Sequence, residues 1–152
     1  LRSDHGRSRS DSSRMTNLQI STSAEKYFTE PPNMVLATIR SDRRPQLSPV
    51  WFIQQDNEFL ISTTPSTAKW KNLIRDPRCI GVVDAPNGRY LPVIGVVDMW
   101  TENAPHEVTT EIVRKYKLGN EFEPYMKTVR NDRPGRGIIR LKPESIVTSG
   151  LD

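Results

Sequence analysis

The stretch STTPSTAKWKNLIRDP, residues 62–77, runs from the hydroxyl-rich end of a β-type segment into a short amphipathic helix over roughly 66–76. Lys69 and Lys71 fall in its first two turns, where the helix macrodipole is already positive and Asp or Glu would be stabilising. Ser62, Thr63, Thr64 and Ser66 crowd ahead of them, with Thr67 beside Lys69. Trp70, Leu73 and Ile74 have the i, i+3, i+4 spacing of a face that packs on a sheet, with Lys69 and Asn72 on a neighbouring face. Two readings follow. One is a solvated charged helix face. The other is an anion site, in which helix N–H groups, hydroxyls and an ammonium converge on a phosphate. The order of strand end, hydroxyls, helix start and lysine is the order a phosphate needs.

On the N-terminal side, MVLATIR (34–40) is rich in β-branched residues, and SDRRP turns the chain. QLSPVWFIQQ (46–55) and EFLISTT (58–64) flank Asp56-Asn57, a good hairpin turn. On the C-terminal side, RCIGVVDA (78–85), the turn PNG and RYLPVIGVVDMW (89–100) read as a second hairpin. Its strands carry apolar residues at consecutive positions, so both faces are expected to be covered, by barrel closure or by helices and a partner. Pro105 opens a helical stretch to about Lys117, EFEPYMKTVR suggests another, and GRGIIRLKPESIVTSG (135–150) is expected to supply two closing strands. Ahead of all this, Thr22–Glu25 has capping-box spacing and predicts a short helix through Phe28. Six or seven short strands with helices and no βαβ rhythm predict a mainly β, α+β protein built on a small barrel.

Composition narrows the function. The chain has 152 residues, enough for one domain with a real core. Its first fourteen residues hold five Ser and four Arg against one Leu, so residues 1–20 read as a disordered tail and 21–152 as the domain. Met15 suits a translation start, which would make the tail an expression remnant. The tail carries half of the net +4 charge, and the nearly balanced remainder argues against a nucleic-acid groove. No membrane-length apolar run occurs, and one cysteine, Cys79, allows no internal disulfide; a cytoplasmic protein is expected. Cys79 lies in an apolar strand and reads as core. His106 reads as a surface residue in a helix's first turn, and neither it nor His5 has a metal-ligand partner, so no metal is expected. Nucleophile-elbow, dinucleotide and P-loop motifs are all missing from the sequence. A redox enzyme whose cofactor performs the chemistry needs the fewest special side chains.

Four pieces in order carry a family resemblance: MVLATIRSDRRPQLSPVWF, FLISTTPSTAKWKNLIRDPR, YLPVIGVVDM and GIIRLKPESIVTSG. Together they resemble the flavin and deazaflavin oxidoreductases of the split β-barrel fold, the superfamily of pyridoxamine-phosphate oxidase. RPQLSPVWF and the K-x-x-N-L pattern of Lys69, Asn72 and Leu73 are most similar to the branch that uses coenzyme F420, a 5-deazaflavin with a phosphate-linked acidic tail. The resemblance implies a six- to seven-stranded split barrel and a homodimer with cofactor sites at its interface. It implies that Lys69 holds the phosphate with Ser62, Thr63, Thr64, Ser66 and Thr67 nearby. Gln46, Ser48, Pro49 and Val50 would line the ring. No catalytic acid or base is assigned. Arg130, Arg133 and Arg136 are candidates for the acidic tail, and Tyr90 and Tyr116 for contributions from a partner subunit. Arg43 stands where many members carry glycine, and Thr67 where several F420 users carry arginine. FMN is the alternative cofactor, and a flavin-like ligand carrier the alternative function.

Overall fold

A computed structural model describes residues 32–85, 87–103, 106–131 and 135–146. The expected tail, the helix near 22–28 and the segment 147–150 lie outside these residues. The strands are β1 (Met34–Ile39), β2 (Pro45–Val50), β3 (Phe52–Gln55), β4 (Glu58–Thr63), β5 (Arg78–Ala85), β6 (Arg89–Glu102) and β7 (Arg136–Ile146). The helices are α1 (Ala68–Arg75), α2 (Glu107–Tyr116) and α3 (Phe122–Arg130), the last preceded by a 3₁₀ turn at Gly119–Glu121.

All seven strands join one antiparallel sheet in the order β2-β1-β5-β6-β7-β4-β3. β2 and β3 are its opposite edges, yet Trp51 alone separates them in the chain. A flat sheet would hold those edges six strand spacings, about 28 Å, apart. The sheet therefore curls until its edges meet at Trp51, which is the split-barrel form. The expected single strand 46–55 is in fact two strands broken at this seam. Within the described residues, the expected closing pair at 135–150 is one strand, β7.

Turn chemistry shapes the sheet. Asp56 and Asn57 hold φ of 52° and 61°, and Asn87 and Gly88 hold 64° and 70°, the left-handed pairs of tight hairpin turns. Arg43 also sits in the left-handed region, at 67°, a conformation that glycine adopts at less cost. Alternation along the strands sends Met34, Leu36, Phe52, Phe59, Ile61, Val83, Leu91, Ile139 and Leu141 into one fully buried core. Trp70 and Leu73 of α1 cap it. Cys79 joins it too, and burial pushes its thiol up to about 12, with Glu144 adding to the shift.

Helix α1 departs from its apolar pattern. Ile74, expected in the core, is 67% exposed, while Asn72 is buried at 6%. Asn72 bonds Thr38 Oγ1 (3.1 Å) and Gln46 Oε1 (3.0 Å), and it accepts from Arg75 (3.0 Å). Three hydrogen bonds offset the desolvation of the amide, and they turn the helix away from Ile74.

Beside the seam, Tyr116 stacks on Trp51 with ring centroids 4.9 Å apart. Its hydroxyl accepts from Phe52 N–H (3.3 Å) and donates to Pro32 O (3.1 Å). Tyr116→Phe keeps the ring, loses both bonds and is expected to cost about 1–2 kcal/mol at neutral pH. Burial pushes the phenol up to about 12, against the opposing pull of the Phe52 N–H. That stabilisation is complete below the unfolded value of 10.0 and is lost as the pH climbs through about 12. In urea titrations the gap between wild type and Tyr116→Phe is expected to narrow across that window.

The outer face of the sheet is divided. Leu47, Ala37, Ile80 and Ile94 lie side by side across β2, β1, β5 and β6, and Pro49, Val35, Val82 and Pro92 form the next row. Leu47 is 66% exposed, and Val35, Ile80 and Ile94 are also exposed. Further round, the face is charged: Asp98 pairs with Arg140 (2.6 Å) and Lys142 (2.5 Å), and Arg140 with Glu58 (3.6 Å).

Candidate functional site

The end of β4, the start of α1 and the inner sides of α2 and α3 enclose a cavity of about 190 Å³. Ser62, Lys69, Thr109 and Arg136 supply its polar lining, Trp51 and Tyr125 an aromatic wall, and Val50 and Ile112 apolar surface. Trp51 and Tyr125 meet at 5.2 Å between ring centroids, so the aromatic wall is continuous.

Lys69 reaches the cavity because Trp70, the next residue, is pinned beneath the sheet. The Trp70 ring lies so close over Gly137 that a Cβ there would come within 2.8 Å of it. Lys69 Nζ donates to Thr63 Oγ1 (3.4 Å), and among the described residues no carboxylate pairs with it. Burial, and then the Arg136 charge, lower its pKa below the ordinary lysine value. A partly desolvated ammonium with no carboxylate partner among the described residues is a place where an anion gains on entry.

The two neighbouring helix starts differ in a way that sharpens this. At α2, the Glu102 carboxylate accepts from Val108 N–H (2.9 Å) and neutralises the helix start. At α1, the first turn holds no acidic residue, and the N-cap residue Thr67 makes no side-chain cap bond. Its hydroxyl instead donates to Thr64 O (2.9 Å) and meets Thr63 Oγ1 (3.2 Å). The α1 start thus keeps N–H groups that an anion can fill.

The structure brings Pro49, Val50, Ser62 and Lys69 together at the cavity and places Thr63 against Lys69. Thr64, Ser66 and Thr67 build the turn behind them, where Thr64 Oγ1 and Ser66 Oγ lie 3.3 Å apart. Gln46 and Ser48 lie further along β2 and do not line the cavity. Of the three candidate arginines, Arg136 reaches the cavity and donates from Nε to Ser62 Oγ (3.1 Å). Arg130 pairs with Glu123 on the surface, and Arg133 lies outside the described residues. Tyr90 is exposed, and Tyr116 packs at the seam.

Thr109, Ile112 and Tyr125 were not legible as site residues. Thr109 Oγ1 lies 2.6 Å from Ser62 Oγ, a contact across 47 residues of sequence. His106 corrects an expectation: it is the N-cap residue of α2, but it is 4% exposed rather than on the surface, and its Nδ1 has no partner among the described groups. Among the described residues, no group of three or more His, Cys, Asp or Glu side chains could hold a metal. No described helix is long and apolar enough to cross a membrane.

The split barrel thus carries a basic pocket at a strand–helix junction with an aromatic wall beside it. Residues 20–149 match the pyridoxamine 5'-phosphate oxidase family, and the chain belongs to that family of flavin-type oxidoreductases. It is similar to the solved structure of an F420 reductase, at 25% identity and a TM-score of 0.68, covering 81% of this chain and 94% of that one. A conserved protein of Mycobacterium tuberculosis superposes with a TM-score of 0.68 at 21% identity, over 85% of this chain and 83% of that one. HutZ, a heme storage protein of Vibrio cholerae, shares the fold at 16% identity and a TM-score of 0.62, over 86% of this chain and 94% of that one.

Proposed function

We propose that this chain is an F420-dependent oxidoreductase that reduces an electron-poor small molecule, such as an enone, an activated alkene or a quinone. The observation that carries the reading is the uncapped, acid-free start of α1 beside Lys69 and Arg136, in the same cavity as an aromatic wall. The similarity to an F420 reductase favours the deazaflavin over FMN.

The residues present suit such a group. Lys69, Ser62 and the α1 N–H groups would hold its phosphate. Pro49, Val50 and Trp51 would bound the ring. The bound cofactor supplies hydride in its reduced form. The chain's own part is to bind, to orient and to exclude water: Ile112, Val113 and Val129 close the cavity with apolar surface. The acceptor then takes its proton from solvent or a nearby hydroxyl. The two apolar rows on the outer sheet face suit association with a second copy, which fits a homodimer with its cofactor sites at the interface.

The test is a fluorescence titration of cofactor-stripped protein with F420 and, separately, with FMN. Saturable F420 binding tighter than FMN binding is expected. Lys69→Ala is expected to weaken it about 10- to 100-fold, the size of one charge-assisted contact, without lowering the melting temperature. Preference for FMN would make the chain an FMN-dependent oxidase or reductase of the same fold. Binding without turnover of any acceptor would make it a carrier. Binding of neither cofactor would end the cofactor reading.

A further inference from the structure

A chain of hydrogen bonds of fixed direction runs from Arg75 to the inner side of β2. Arginine can only donate. Arg75 is held by its bond to Ile39 O (3.1 Å), and it donates to Asn72 Oδ1 (3.0 Å). That bond settles which end of the buried Asn72 amide is oxygen. The Asn72 NH₂ group therefore points the other way, where it meets Thr38 Oγ1 (3.1 Å) and Gln46 Oε1 (3.0 Å). Thr38 and Gln46 are direct partners across the β1–β2 ladder, so one amide clips both strands to α1. The same argument passes to Gln46. Its oxygen is taken by Asn72, so its own NH₂ is the end left for another group.

Gln46 is half-buried, and with Ser48 and Val50 it forms the inward row of β2, which leads from Asn72 to the cavity wall at Val50. We propose that Arg75 and Asn72 are positioning residues that hold Gln46 as an obligate hydrogen-bond donor. Gln46 then selects ligands that present an acceptor along β2, a carbonyl oxygen or an unprotonated ring nitrogen, and disfavours those presenting an N–H or NH₂. This rests on the reading that a flavin-type ring lies along β2 with a carbonyl of its dione edge, not the N–H between the two carbonyls, opposite Gln46. It assigns specificity to residues outside the cavity, through a polarity that begins at a surface arginine.

Asn72→Asp tests it with almost no change of shape. The introduced carboxylate still accepts from Arg75 but cannot donate, so Gln46 is expected to turn over, bonding that carboxylate with its NH₂ and presenting its oxygen to the ligand. Two readouts are needed. In isotope-labelled wild type without ligand, the Asn72 side-chain amide protons are expected to exchange slowly and those of Gln46 quickly. In Asn72→Asp, the Gln46 protons are expected to become slow. F420 and FMN affinity is expected to fall about tenfold in the variant, the size of one lost donor facing an acceptor. Gln46→Glu, whose oxygens can only accept from Asn72, is expected to show the same loss. Slow Gln46 exchange in ligand-free wild type would overturn the inference, and so would unchanged cofactor affinity in Asn72→Asp. Failure of wild type to bind either cofactor would sink the functional reading instead, with the exchange pattern still deciding the direction of the chain.

Discussion

Trp70→Ala is expected to lower stability by about 3–5 kcal/mol, the range for removing a buried aromatic ring. That is a large share of the ~5–15 kcal/mol that holds an ordinary domain together. The indole joins the main core and lies flush against Gly137 of β7, so little can move in to fill its volume. The midpoint of urea unfolding reads the loss, and a change below about 1 kcal/mol would mean that the ring is not packed as described. The same substitution is expected to weaken cofactor binding, because Trp70 sets the depth of the helix that carries Lys69. Lys69→Ala affects binding without stability, and Trp70→Ala affects both.

Gly95→Ala is the second large effect. At the β6–β7 ladder the register shifts between Ile94 and Gly95, with Ile94 opposite Ser145 and Gly95 opposite Pro143. Glu144 is the extra residue of a bulge, and the Lys142 carbonyl presses against the Gly95 α-carbon. A methyl group there would collide with the Lys142 oxygen and come within 2.9 Å of its carbonyl carbon. Backbone cannot step aside as a flexible side chain can. A loss of about 3 kcal/mol or more is expected, at the upper end of overpacking costs, with poor recovery of soluble protein. Gly88→Ala is the contrast: nothing lies within 4 Å of the added carbon, and only the φ of +70° opposes it. Its cost is expected near 1 kcal/mol. Equal effects from the two would contradict the close approach at Gly95.

Much of this fold is legible from local signals. Residues 78–85 match strand β5 end to end, and the Asp56-Asn57 and Asn87-Gly88 turns fall where their residue types require. The break at Trp51 is not legible, because it follows from the sheet closing on itself and both flanking segments read as strand. Asn72 was misplaced for a related reason. A periodic pattern ranks Ile74 above an amide, and only the meeting of α1 with β1 and β2 gives the amide three partners.

The site divides along the same line. Ser62, Thr63 and Lys69 are visible because the strand, turn and helix that carry them are contiguous. Arg136, one of three candidate arginines, and Thr109 reach Ser62 from 74 and 47 residues away, and nothing around Thr109 marks it as part of a pocket. His106 looked like a surface residue at a helix start because its local sequence is polar. Its burial is set by elements it meets only in the folded chain.

The two strands at the margins of the sheet constrain how copies of this chain can assemble. β2 carries proline at both 45 and 49, and β3 is only four residues long. Proline offers no N–H to an incoming strand, and a strand of four residues gives little length to extend. Growth by adding strands at the rim, the route to runaway fibrous assembly, is therefore blocked on one side and stunted on the other. The broad apolar back of the barrel is the surface that remains for contact, and an area of fixed extent sets a ceiling on contacts that an open-ended ladder does not.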